Sequence, residues 1–188
     1  MKEIEIQVQV DNVQPLLDVL GAKGKSNGEK HQIDVYFTPA HRDFTAFRPT
    51  NEWLRLRESG GKASVNYKVW HKDEDGKSTY ADEYETPIED IDAMRKIFEV
   101  LNFKTLTVVD KIRRTWKYGD YEVAVDSVKG LGEFIEIELL TDEDVDVKKV
   151  IAEMVGFLKG LGCGKIVRNH VGYPFMLLFK DEIKFEIL

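Results

Sequence analysis

Residues 1–10 read Met-Lys-Glu-Ile-Glu-Ile-Gln-Val-Gln-Val, with Ile4, Ile6, Val8 and Val10 alternating with Glu3, Glu5, Gln7 and Gln9. A period of two sends successive side chains to opposite faces, so the segment predicts a strand with one apolar and one polar face. The pattern recurs along the chain. Leu54 and Leu56 interleave with Arg55 and Arg57, and Val65, Tyr67 and Val69 with Ser64, Asn66 and Lys68. Val123 and Val125 flank Ala124 ahead of Asp126, and Ile135, Ile137 and Leu139 alternate with Glu136 and Glu138.

Turn chemistry links these segments in order. Gly60-Gly61, Asp75-Gly76, Gly119-Asp120 and Gly130-Leu131-Gly132 fall between predicted strands, including Tyr80–Glu85 and Lys111–Lys117. Short connections of this composition favour hairpins and antiparallel neighbours. Helices are expected over Val13–Leu20, with Pro15 near the start, and over Ile91–Leu101, with Asp90 as cap. The longest, Val145–Leu161, turns Val147, Val150, Ile151, Met154, Val155 and Leu158 to one side, and Tyr173–Phe179 suits a last short helix. One domain is expected over residues 1–180, with residues 181–188 as a tail that the pattern does not place.

The 188 residues suit one domain with a full core. No apolar run approaches the ~18–20 residues of a membrane span, and the alternating N-terminus does not resemble a secretory signal. The lone Cys163 excludes an internal disulfide framework. These features predict a cytoplasmic protein with no membrane partner. A net charge of −7 disfavours nucleic acid as the main partner, because the global field repels its backbone.

The charges are segregated by strand. Arg55, Arg57, Lys68, Lys111 and Arg113 lie on some strands, and Glu3, Glu5, Glu83, Glu85, Glu136 and Glu138 on others. The helical stripes need a sheet face to cover. Closing the strands into a barrel with the helices outside would turn the apolar faces outward and line the lumen with charge. So many buried ions are costly unless partners neutralise them. A triphosphate suits the Arg and Lys side chains, and Mg2+ or Mn2+ suits the carboxylates, whose hard oxygens select against zinc.

Glu3-Ile4-Glu5-Ile6-Gln7 resembles the ExExK strand of the CYTH superfamily, the triphosphate tunnel metalloenzymes. The segments Asp34–Phe37, Arg42–Phe44, Trp53–Arg57, Lys111–Arg113 and Val125–Glu138 are similar, in order, to its class IV adenylyl cyclase branch. The resemblance implies an α+β protein built on a closed eight-stranded antiparallel β-barrel, the triphosphate tunnel, with helices packed outside. By family role, Arg55, Arg57, Lys68, Lys111 and Arg113 would grip phosphate. Glu3, Glu5, Asp126, Glu136 and Glu138 would hold or orient the metals, and Glu83 and Glu85 complete the candidate set. Gln7, Lys68 and Lys111 are the catalytic candidates. Gln7 replaces the family's Lys, and its amide donates a hydrogen bond but carries no charge and no titratable proton.

Three functions share this grip: conversion of ATP to cyclic AMP and pyrophosphate, hydrolysis of thiamine triphosphate, inorganic triphosphate or a nucleotide, and triphosphate or polyphosphate sensing without turnover. A homodimer through an outer barrel face is compatible with the layout. Gly60–Ser64 reads as a hairpin turn rather than a phosphate loop. His31, His41, His71, His170 and Cys163 lack zinc-ligand spacing, and Trp53, Trp70 and Trp116 read as packing residues.

Overall fold

The structure, a computed structural model, describes residues 2–72 and 78–188. Ten strands form one sheet: β1 (Lys2–Val10), β2 (Lys25–Thr38), β3 (Glu52–Ser59), β4 (Lys62–Lys72), β5 (Ser78–Ile88), β6 (Lys104–Tyr118), β7 (Tyr121–Val128), β8 (Gly132–Thr141), β9 (Ile166–Arg168) and β10 (Glu186–Ile187). Their order is β10-β9-β1-β8-β7-β6-β2-β3-β4-β5, and every pairing is antiparallel. The Gly60-Gly61 and Gly119-Asp120 turns sit where expected, with positive φ at Gly60, Gly61 and Gly119 that glycine adopts without strain. The Asp75-Gly76 turn lies outside the described residues.

The sheet corrects the expected closed eight-stranded barrel. Among the described residues no ladder joins β5 to β1, so the sheet is open. Part of the edge that closure would use is taken, because Val8–Val10 of β1 pair with β9. The tail left unplaced from sequence contributes β10, which pairs with β9. The sheet nevertheless curls, bringing Lys68 of β4 into electrostatic reach of Glu3 and Glu5 of β1.

Four helices join the sheet: α1 (Gln14–Lys23), α2 (Ile91–Val100), α3 (Val147–Leu161) and α4 (Tyr173–Leu178). Asp90 caps α2 by accepting from the Ala93 amide at 2.8 Å, and Asp146 caps α3. Helix α1 runs past Gly21 to Lys23, one turn beyond expectation.

The apolar strand faces are buried as their period requires. Ile4, Ile6, Val8, Val123, Val125, Ile135 and Ile137 pack with Leu16 and Leu20 of α1 and Val150, Met154, Val155 and Leu158 of α3. Each large apolar side chain so buried stabilises the fold by about 1.5–3 kcal/mol relative to exposure. A second cluster seats Phe98 of α2 on Phe37 and Leu56, with the Phe37 and Phe98 rings edge-on at 5.1 Å. With these faces covered by helices, the charged faces are left for the concave side.

Candidate functional site

The concave face collects side chains of one phase from eight strands. Its cations are Arg55 and Arg57 on β3, Lys68 on β4, and Lys111 and Arg113 on β6. Two carboxylates hold most of them in place. Asp126, on β7, is completely buried. It accepts from Lys111 Nζ at 2.8 Å, from Arg113 Nε and Nη2 at 2.7 and 2.6 Å, and from the Tyr173 hydroxyl at 2.9 Å. Arg113 also donates to Glu136. Asp34, on β2, accepts a two-pronged bond from Arg57 at 2.6 and 2.7 Å. Such forks fix the guanidinium plane as well as its position.

Arg55 lies 3.7 Å from both Asp34 and Glu83, and its buried Nε has no partner among the described residues. Lys68 pairs with Glu83 at 3.0 Å, and Asn66 donates to the same carboxylate at 2.6 Å. Ser64 donates to Glu85 at 2.6 Å. Burial lowers the Lys68 ammonium pKa, but Glu83, Glu5 and Glu3 outweigh it and raise the pKa above its usual value. Lys111 is held below its usual value, first by burial, despite the carboxylates of Glu136 and Asp126.

Opposite the cations lies an acidic group. Glu3 and Glu5 of β1 and Glu138 of β8 each place a carboxylate oxygen within 4.8 Å of the others, and Glu5 and Glu138 are direct cross-strand partners. Burial, followed by the charge of Glu136, pushes Glu5 up to about 7. Burial and the charges of Glu3, Glu122 and Glu136 push Glu138 up to about 7 as well. Glu136 behaves differently. Burial pushes its pKa up, but Arg113 and Lys111, helped by an amide bond from Gln7, hold the carboxyl well below the usual range. Glu136 therefore belongs electrostatically with the cations, while Glu3, Glu5 and Glu138 crowd one another. Three hard oxygen donors under mutual repulsion fit a divalent cation such as Mg2+ or Mn2+.

This crowding predicts an unusual pH dependence. Between about pH 4.5 and 7 the folded protein holds more protons on Glu5 and Glu138 than the unfolded chain, so stability falls as pH rises. The metal-free protein should melt lower at pH 8 than at pH 5.5. Mn2+ should raise the melting temperature more at pH 8, where the carboxylates are ionised. Calorimetric scans at both pH values, with and without metal, check this.

Of the residues expected from sequence, the structure gathers Arg55, Arg57, Lys68, Lys111, Arg113, Glu83, Glu85, Asp126, Glu136, Glu138, Glu3, Glu5 and Gln7 around one concavity. Asp126 stands among two cations and a hydroxyl, apart from the three-glutamate group. Gln7 donates its amide to Glu136 at 3.0 Å, and its buried Oε1 has no partner among the described residues. Sequence reasoning missed Asp34, Asn66 and Tyr173 as site residues. Asp34 alternates with Ile33 and Val35, so the period-two signal was present. Tyr173 had no such signal, because it arrives from a helix 47 residues beyond Asp126.

Residues 1–167 match the CYTH domain family. A protein of Methanocaldococcus jannaschii named "putative adenylate cyclase MJ0240" is 38% identical over 166 residues, 88% of this chain and 92% of the relative. The solved PH1819 protein of Pyrococcus horikoshii is 27% identical with a TM-score of 0.76, over 95% of this chain and 99% of that one. A Hippeastrum adenylyl cyclase homologue, described as having a dominant triphosphatase activity, shares the fold at 20% identity and a TM-score of 0.65, covering 96% of each chain. Both the matched span and the curated relative place the protein in one group: it belongs to the CYTH domain family.

Proposed function

We propose that the protein is a metal-dependent enzyme acting on a triphosphate, and that its reaction is of the class IV adenylyl cyclase type, ATP to cyclic AMP and pyrophosphate. The observation that carries this reading is the facing of five fixed cations and a three-glutamate group across one concavity. Lys111, Arg113, Arg55, Arg57 and Lys68 bind the phosphate oxygens. Asp126 and Asp34 hold these cations in orientation before substrate arrives, which lowers the reorganisation needed in the transition state. Glu3, Glu5 and Glu138, with Glu136 at their border, would hold Mg2+ or Mn2+. Bound there, the metal supplies charge neutralisation between these carboxylates and the phosphates. The ribose 3′-hydroxyl attacks the α-phosphorus, pyrophosphate leaves against the Arg and Lys side chains, and the released proton passes to solvent.

Hydrolysis of the terminal phosphate by water is the second reading, supported by the dominant triphosphatase activity described for the Hippeastrum protein of the same fold. The neutral amide of Gln7, committed to Glu136, stabilises developing charge in either reaction less than an ammonium group would. Product analysis with ATP, thiamine triphosphate and tripolyphosphate, each with Mg2+ and Mn2+, separates the two. Cyclic AMP from ATP supports the cyclase, whereas orthophosphate from all three supports the hydrolase. No turnover of any of them sinks both.

Gln7→Lys should raise kcat on whichever substrate is turned over, by about tenfold, with little change in KM. The added ammonium would lie beside Glu136 and Glu5, where Gln7 already reaches the first of them. A fall in kcat would show that another residue already meets this need.

A further inference from the structure

Lys111 stands apart from the other paired cations in how it is held. Arg57 and Arg113 grip their carboxylates with two-pronged bonds that fix the guanidinium plane. Lys111 carries a point charge on a flexible stem, with no fork to orient it. Among the described residues its ammonium donates one hydrogen bond, to Asp126 Oδ2 at 2.8 Å, and Arg113 shares that oxygen. Yet Lys111 is almost wholly buried. Its other close neighbour is Tyr173. The ammonium lies 4.8 Å from the Tyr173 ring centroid, within cation–π range. The Tyr173 hydroxyl donates to the same Asp126 oxygen at 2.9 Å. One side chain therefore touches both the ammonium and the carboxylate that anchors it.

Tyr173 is itself held firmly. It opens α4, between Gly172 and Pro174, and the Phe134 ring meets its own edge-on at 5.0 Å. Phe175 and Met176 of the same helix are buried with Tyr36, Trp53, Val109 and Val128, at the apolar end of the concave face. Buried Asn169 accepts from the Val171 amide at 3.2 Å and donates to the Met176 sulfur at 3.2 Å, which braces the turn into the helix. Beyond the helix, Arg48 pairs with Glu182 and covers the Phe179 ring. Side chains locked by packing in this way can orient the groups they touch. Helix α4 lies beyond the 1–167 span of the family match.

We infer that Tyr173 is a positioning residue, which orients the Lys111 ammonium toward phosphate through its ring and through the shared Asp126 oxygen. This rests on the triphosphate reading above and adds to it a residue from outside the matched domain. The ring supports the ammonium charge without offering an oxygen that competes with phosphate for its N–H groups. The hydroxyl occupies a lone pair on a carboxylate that has no solvent contact. Without that donor, Asp126 Oδ2 would draw the flexible ammonium closer, and phosphate would have to compete with a carboxylate for it. Arg57 depends on no such support, because its fork to Asp34 orients it directly.

The test is a double-mutant cycle read by calorimetric titration of tripolyphosphate with Mg2+, run to millimolar ligand so that weak binding is still measured. Tyr173→Phe keeps the ring and its packing and removes only the hydroxyl. It should weaken binding by about tenfold, and Tyr173→Leu, which also removes the ring, by about thirtyfold. In a Lys111→Ala background the Phe change should cost no more than about twofold, because the group it positions is gone. A loss of the same size in both backgrounds would show that α4 supports the whole site rather than Lys111, and would overturn the inference. Wild-type affinity in Tyr173→Phe would overturn it too, while leaving the triphosphate reading intact. Failure of the wild-type protein to bind tripolyphosphate overturns both. If Tyr173→Leu does not fold, Tyr173→Phe and its cycle with Lys111→Ala still decide.

Discussion

Arg113→Ala is expected to lower triphosphate affinity by about 100-fold or more and to destabilise the protein by about 3–5 kcal/mol. Both effects have one origin. Arg113 bonds Asp126 twice and reaches Glu136, and it is the strongest opposing charge on that second carboxylate. Asp126 has no solvent contact, so removing the guanidinium leaves a buried anion supported by Lys111 and Tyr173 alone. Truncating one partner of a buried ion pair costs more than the pair contributes, because the survivor stays desolvated. The binding loss is separable from the stability loss. Arg113→Ala combined with Asp126→Asn should recover part of the melting temperature by removing the stranded charge, yet should not recover tripolyphosphate binding. Calorimetric titration and thermal melts on both variants check this. A double variant that binds as well as wild type would show that Arg113 serves only to neutralise Asp126.

Glu5→Gln is expected to move stability and function in opposite directions. At pH 8 the wild-type Glu5 carboxylate is ionised although burial and Glu136 push its pKa up to about 7, so its charge strains the metal-free fold. The unfolded chain has no such penalty, so by linkage the folded state loses stability from about pH 4.5 up to 7 and carries the full loss above that. Gln keeps the shape and removes the charge. The metal-free variant should melt higher than wild type at pH 8 and about equal to it at pH 4.5, where both side chains are neutral. The variant should also lose most of its Mn2+-dependent stabilisation, since one of three clustered oxygen donors loses its charge. Turnover should drop by about 100-fold or more if the metal is needed for reaction. A variant less stable than wild type at pH 8 would mean that Glu5 is compensated by Lys68 more fully than the crowding suggests. Unchanged metal response would place the ion elsewhere.

These opposing signs follow from how the site is built. The cations arrive already paired, Arg57 with Asp34 and Arg113 with Asp126, so their cost of burial is met within the protein. Glu3, Glu5 and Glu138 make no such fork among the described residues and repel one another, with Lys68 in electrostatic reach of Glu3 and Glu5. A fold that holds charge in this way gives up stability at the site proposed to bind metal and triphosphate.

Much of this was legible in contiguous residues. Period-two alternation located β1, β3, β4, β7 and β8, and placed Glu3, Glu5, Arg55, Arg57, Lys68, Glu136 and Glu138 on the faces opposite Ile4, Leu56 and Ile137. The first half of β2, Lys25–His31, was not legible, because it is exposed and carries no apolar alternation; its partner β6 orders it through backbone bonds. Capping chemistry marked the start of α2, where Asp90 bonds an amide three residues on, whereas α3 was legible from its apolar stripe and starts at Val147 rather than Val145 because Asp146 caps it.

What lay outside the sequence are relations between distant residues. Whether the sheet closes depends on which strand reaches the edge of β1, and β9, more than 150 residues away, takes part of it. That Asp126 serves the cations, while Glu138 joins Glu3 and Glu5, follows from curl and register, which no single strand encodes. Tyr173 reaches Asp126 only because α4 docks on the apolar end of the lumen. Alternation and capping are set by neighbours along the chain, so the sequence by itself determined the strands, the helix starts and the polarity of each face. Closure and ion pairing are set by packing through space, and only the tertiary structure decided them.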